Sequence, residues 1–190
     1  PNLLTPLWWK EGMAVEMETQ FSPRGRTRSY MQDAQVRSYV TSNKFEKYDL
    51  SQANEGLVTW PYGNRPYFFG SMVMSQIAKN RKPTVIGDVV LDQSSLPPYF
   101  INSPTENVIN MNYAQIFGEA QDDYRKNSAQ QIEELQKVAL PEVQKINSEL
   151  LQSKSAQWSD SLQLLGLVGT TDMKTQLQFY QLNPNTKNWD

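Results

Sequence analysis

With no histidine and no cysteine anywhere in the sequence, chemistry in this chain has to be built from carboxylates, phenols and guanidinium groups. That excludes histidine-based triads, thiol nucleophiles, zinc-thiolate sites and disulfides made from this chain alone. The most suggestive carboxylates lie in "PLWWKEGMAVEME", residues 6–18. On a helix Glu11 and Glu18 are separated by roughly 700° of rotation and so share a face, while Glu16 points elsewhere. Trp8 and Val15 flank that face, which predicts that one of the two carboxylates sits in a partly enclosed place. A carboxylate there needs a cation, a metal or several hydrogen bonds, because bare burial costs several kcal/mol. The plainer alternative is a solvated acidic face with Lys10 and nearby arginines as counterions.

Other candidates carry less. Asp122 and Asp123 in "QDDYRK" point about 100° apart on a helix and make a poor catalytic pair, so this stretch reads as an exposed face. Arg24, Arg26 and Arg28 are able to bind a carboxylate or phosphate, but a loop after a helix favours solvation. Trp8 and Trp9 read as packing residues. Tyr67, at the head of the apolar "YFFGSMVM", reads from pattern alone as a core-edge tyrosine.

The elements that must position these groups follow from periodicity and breakers. The chain has 190 residues, 38% of them hydrophobic, which gives room for one sizeable core and a second small unit. Eighteen Lys and Arg against twenty Asp and Glu, a net charge of -2, are scattered, so nucleic acid is excluded as an expected partner. No run approaches the roughly 20 apolar residues of a transmembrane helix. The first residue is Pro1 and no signal pattern precedes the fold, so the chain reads as a processed or cut piece of something longer.

Helices are expected over 6–20, from Tyr30 to about Val40, over 66–80, from Pro83 to near Ser94, and from a cap at Thr105 to about Met111. The longest periodic stretch, Tyr113, Phe117, Ala120, Tyr124, Ile132, Leu135 and Val138, should lay one stripe on the core. The sixteen or so residues after Val40 look irregular, and "WPYGNRP" at 60–66 is dense in turn formers. After Pro141 two strands are expected, "LQLLGLVG" at 162–169 and "TQLQFYQL" at 175–182. "GTTDMK" would form the hairpin loop between them and "NPNTK" at 183–187 a further turn. A helical body over 1–141 and a linker with an antiparallel β piece over 142–190 result, with no internal repeat.

"PLWWKEGMAVEME" resembles the P-x-W-x-x-E-G-x-A segment of gluzincin zinc metallopeptidases, the aminopeptidase-N-like and thermolysin-like enzymes. The resemblance implies that Glu11 is the third zinc ligand and that Glu18 orients a zinc-bound histidine. Gly12 would let this helix lie close beside its neighbour. "RPYFFGSMVM", 65–74, resembles the P-Y-x-x-G segment that follows in aminopeptidase-like members, where the tyrosine hydroxyl donates to the oxyanion of the tetrahedral intermediate; that position is Tyr67. "GRTRS", "TWPYGNRPYFFGS" and "LPPYFIN" are similar to a secreted bacterial type in which such a domain precedes a Tol-type β-propeller. "AQWSDSLQLLGLV" with "QLQFYQLNPNTK" resembles one blade, although the Pro and Gly of the usual blade turn are missing around Asp160.

H-E-x-x-H, which supplies two zinc ligands and the general base, is absent. The resemblance therefore implies a mainly α chain: the helical C-terminal subdomain of a gluzincin-like peptidase, followed by a short antiparallel β segment like one propeller blade. It would be a fragment of a zinc-dependent enzyme, inactive on its own. Zinc would belong to the intact parent, completed by a missing N-terminal half in cis or as another chain. Peptide or protein would be the substrate, and the location would be secreted or periplasmic. The alternative is a non-catalytic module, a degenerate peptidase plus propeller, that binds proteins.

Overall fold

The computed structural model describes residues 4–54, 62–97, 99–139, 146, 150, 152–171 and 174–183. The chain is mainly helical and divides into two compact units, Pro1–Val138 and Ala139–Asp190.

The first unit holds α1 (Leu7–Phe21), α2 (Tyr30–Thr41), α3 (Arg65–Ala78), α4 (Val85–Ser95), α5 (Ser103–Ile109) and α6 (Tyr113–Gln136). Short 3-10 turns occupy Arg26–Arg28, Phe45–Lys47, Leu50–Asn54 and Tyr62–Asn64, two of them within the stretch expected to be irregular. Local chemistry starts and stops these helices. Ser29 accepts from the Met31 N–H to cap α2, and Asn112 with Gln115 forms a capping box on α6. Leu96, held extended ahead of Pro97, ends α4. The cap of α1 is not local: the Asn54 side-chain oxygen accepts from the Leu7 and Trp8 N–H groups at 2.6 and 3.3 Å.

Two expectations need correction here. Thr105 does not cap α5, which begins at Ser103 with Pro104 in its first turn; Thr105 is buried inside the helix and its hydroxyl donates to the Asn102 carbonyl. The stripe on α6 reaches the core only over its first half. Tyr113, Ile116, Phe117 and Ala120 are buried and Tyr124 packs against the core, whereas Leu135 and Val138 are exposed.

Helix α3 is the centre of the unit, with Phe68, Phe69, Met72, Val73 and Ile77 all buried. Phe69 meets Phe68 and Phe117 edge to face at 5.1 and 5.8 Å, and Tyr39 stacks on Phe68 at 5.7 Å. Helices α1 and α3 cross at a pair of glycines. A Cβ on Gly12 would lie 2.2 Å from the Gly70 carbonyl carbon, and one on Gly70 would lie 2.1 Å from the Trp8 oxygen. Gly12 thus does let its helix lie close to a neighbour, and the neighbour is α3. Trp8 and Trp9 are buried as packing residues, and the Trp9 indole donates to the Tyr113 hydroxyl at 2.6 Å, tying α1 to α6. Burial pushes the Tyr113 phenol well above the usual tyrosine range.

The second unit carries an antiparallel sheet of β1 (Gln152–Ser159), β2 (Leu164–Thr171) and β3 (Lys174–Gln181) in that order. Two strands were expected and three form. The unexpected one, "QSKSAQWS", has no apolar alternation to announce it and is held by its backbone ladder to β2, with an irregularity between Ser153 and Ser155. At the β1–β2 turn Gln163 has a φ of 51°, its side-chain amide donates to the Asp160 carbonyl, and the Trp158 indole donates to the Asp160 carboxylate at 2.6 Å. The outer residues of "GTTDMK" belong to β2 and β3; its centre, 172–173, and 184–187 of "NPNTK" lie outside the described residues. Among the described residues, no helix is long and apolar enough to cross a membrane.

Candidate functional site

Helix α1 turns Trp8, Gly12, Val15, Glu16 and Thr19 inward. One of the pair expected to be partly enclosed, Glu11, is half-buried, but the most deeply buried carboxylate of the helix is the one expected to point elsewhere. Spacing alone gives the angle between Glu11, Glu16 and Glu18 but not which direction faces the core. The buried one is Glu16, 6% exposed, which accepts from the Ser75 hydroxyl of α3 at 2.5 Å and from the Gln20 amide at 3.2 Å. Glu11 is half-buried and Glu18 exposed. Burial first, and then the charges of Glu16, Asp33 and Asp123, push the nearby Tyr124 phenol up to about 12. "QDDYRK" is therefore not wholly a solvated face, since Tyr124 points into the protein and Asp123 pairs with Lys79.

The loop after α1 folds back onto it. Gly25 packs so closely that a Cβ would lie 2.2 Å from the Thr19 Cα. The Thr27 hydroxyl donates to the Thr19 hydroxyl at 2.7 Å, and the Arg28 guanidinium donates to the Thr19 and Ser22 carbonyls at 2.5 and 2.6 Å. Arg28 thus satisfies carbonyls that the end of a helix leaves without partners. The three arginines of the loop are exposed, as expected of a solvated segment, and Arg26 and Arg28 also clasp the end of α1.

Arg26 is the hub of that clasp. Its guanidinium forks onto Glu18, Nε to Oε2 at 2.7 Å and Nη2 to Oε1 at 2.6 Å. It also lies 5.1 Å from the centre of the Tyr67 ring on α3. The bonds from Arg26 hold the Glu18 carboxyl below its ordinary value of 4.5. Hydrogen bonding to Glu18, and then the charges of Glu18 and Glu11, raise the guanidinium further above its own range. Of the three residues singled out in the sequence, Glu18 and Tyr67 meet on Arg26, the one member that sequence reasoning assigned to a loop, while Glu11 acts on it only through its charge. The signal that could have found it is its spacing: a chain that reverses at Gly25 brings Arg26 back beside Glu18.

Two of these groups keep unspent hydrogen-bonding capacity. Neither the half-buried Glu11 carboxylate nor the half-buried Tyr67 hydroxyl bonds to any described residue. Tyr67 also lines a pocket of about 180 Å3 with Val15, Arg26, Gln32, Asn64 and Phe68 among its walls. The arrangement offers one anionic acceptor, one phenolic donor and one guanidinium already occupied by a carboxylate.

That donor set does not fit a catalytic zinc ion by itself. Such a site takes about three protein ligands, drawn from imidazole, thiolate and carboxylate. Glu11 supplies one, Glu18 is engaged by Arg26, and the sequence has no imidazole or thiolate to add. No family model, no curated protein and no solved structure matches this chain.

Proposed function

We propose that this chain is the helical half of a gluzincin-type zinc metallopeptidase domain and does no peptide chemistry alone. In this reading Glu11 is the third zinc ligand, Glu18 orients a zinc-bound histidine, and Tyr67 donates to the oxyanion as the tetrahedral intermediate forms. The zinc and its first two ligands come with another segment or another chain, and the sheet is one blade of a propeller. A secreted or periplasmic location and a peptide or protein substrate go with the same reading. The observation that carries it is the Gly12–Gly70 crossing. It sets the E-G segment of α1 against the P-Y-x-x-G segment of α3, so that the turn carrying Glu11 and the turn carrying Tyr67 belong to two helices in close contact.

The test is metal analysis of the whole gene product that carries this chain. One zinc per protein is expected, lost in Glu11→Ala because one of about three protein ligands is removed, while Tyr67→Phe keeps the metal and loses turnover. Zinc that survives Glu11→Ala unchanged would sink the ligand assignment.

A second reading, a non-catalytic protein-binding module, is favoured by one feature, the fork of Arg26 on Glu18. That fork occupies the carboxylate an imidazole would need. A whole gene product with neither zinc nor H-E-x-x-H supports the module.

A further inference from the structure

The pocket beside Tyr67 has walls that neither reading uses. It is bounded by α1 through Val15, by α2 and its cap through Ser29, Met31, Gln32 and Gln35, by the Tyr62–Asn64 turn through Asn64, and by α3 through Phe68. Its volume of about 180 Å3 is ample for a small side chain, since a single water needs only about 10–15 Å3 of such space.

Half of its polar lining is amide: Gln32, Gln35 and Asn64 stand beside the Ser29 hydroxyl, the Tyr67 phenol and the Arg26 guanidinium. The Gln32 side chain is only 9% exposed, and its orientation is fixed by bonding logic. Ser71 spends its hydroxyl proton on the Phe68 carbonyl at 2.8 Å, so its oxygen can only accept, and the Gln32 group 3.1 Å away must be the NH2. The Gln32 side-chain oxygen, which accepts from no described residue, is then the group it offers to the pocket. Gln35 and Asn64 likewise bond to no described residue through their side chains. Three amides with unspent donors and acceptors surround the space, and Val15, Phe68 and Met31 supply apolar wall between them.

Charge completes the selection. The Arg26 guanidinium at the edge is already matched by Glu18, and the charge of Glu11 acts on it as well. The neighbourhood is thus neutral to negative, and an incoming carboxylate would meet no free cation.

We propose that this pocket binds an uncharged, amide-bearing side chain of a peptide, of the glutamine or asparagine type. Its amide N–H donates to Gln32 Oε1, its carbonyl accepts from Gln35 or Asn64, and its methylenes lie on Val15 and Phe68. As a subsite beside Tyr67 it rests on the peptidase reading, and it names the substrate class that reading leaves open.

The experiment uses the 190-residue chain without metal, labelled with 15N, and follows the side-chain amide resonances of Gln32, Gln35 and Asn64. Three probes are titrated: N-acetylglutamine amide, N-acetylglutamate amide and N-acetylnorleucine amide. Saturable shifts with the glutamine probe are expected, about tenfold weaker with the other two and lost in Gln32→Leu, the change one unmade buried hydrogen bond produces. Gln35→Leu, at a half-buried rim position, repeats the test should the Gln32 variant fold poorly. Equal shifts from all three probes, or glutamine shifts that persist in both variants, would overturn the proposal. Because no metal enters, that failure leaves the Glu11 zinc assignment to its own test.

Discussion

The helical unit and the sheet solve the problem of burying apolar surface in opposite ways. In the helical unit α3 is covered on nearly every side: ten of its fourteen residues are buried, including the polar Arg65 and Ser71. In the sheet, Leu177 is 57% and Phe179 63% exposed, and only one residue of β2 is buried. Strand alternation puts Leu177 and Phe179 on one face, with Val168 and Gly166 opposite them, and Leu165 and Tyr180 on the other. The first face is thus the more apolar, while the second sets Leu165, Leu167 and Tyr180 among Gln178, Gln176 and Lys174. The helical unit is held by side chains meeting side chains, the sheet chiefly by its ladder. Stability should therefore be sensitive to side-chain identity in the first and nearly blind to it in the second.

The largest effect expected is Phe69→Ala, at the meeting point of Phe68, Tyr48 and Phe117. Loss of a fully buried aromatic ring costs about 3–5 kcal/mol, read as a fall in the unfolding midpoint of the helical signal. Next is Gly12→Ala. The new methyl group meets Gly70 backbone at 2.2 Å, which cannot turn aside as a side chain would, so about 1–3 kcal/mol is lost to overpacking. Gly118→Ala is its control. That glycine is also helical but has nothing within 4 Å of a new Cβ, and it should gain about 0.5–1 kcal/mol from propensity alone. If the two glycines responded alike, close approach would not be what holds α1 to α3.

How far the sequence could be read tracks the same division. The six helices announce themselves through apolar recurrence and through breakers such as Pro23, Pro83 and Pro97, because each signal is local. Strand β1 does not, since "QSKSAQWS" pairs through backbone groups that every residue has. Within the site, the spacing of Glu11 and Glu18 was legible as an angle. That Glu16 is the enclosed carboxylate was not, because helix geometry fixes relative directions and only the partner, here Ser75 on α3, fixes the absolute one. Asn54 capping α1 and Gln32 bonding to Ser71 are contacts across 47 and 39 positions, beyond any local pattern. Arg26 is the intermediate case, only eight positions from Glu18 but visible only once Gly25 is known to reverse the chain.

The fork of Arg26 on Glu18 should matter less than either core change, since the two side chains are 47% and 46% exposed. A double-mutant cycle with Arg26→Gln and Glu18→Gln should give about 0.2–1 kcal/mol, weakened by salt. Its pH dependence has a definite sign. The folded Glu18 carboxyl titrates below its ordinary value of 4.5, so its contribution is complete above that value and disappears as pH falls through the depressed one. A coupling energy that grew on acidification would contradict the pair.

The smallest effect should belong to the sheet, and it decides whether the contrast is real. Leu177→Thr exchanges an exposed apolar side chain for one that suits a strand equally well, so stability should change by less than about 0.5 kcal/mol. Each unit carries its own reporter: the Trp9 indole bonded to Tyr113 in the helices and the Trp158 indole bonded to Asp160 in the sheet. Hydrogen exchange at both should be unaltered by Leu177→Thr. Phe69→Ala should speed exchange at Trp9 while leaving Trp158 as it was, which is what two units stabilised by different means require. If Leu177→Thr instead released Trp158 by a kilocalorie or more, that face would be packed rather than open, and the sheet would depend on side-chain burial as the helices do.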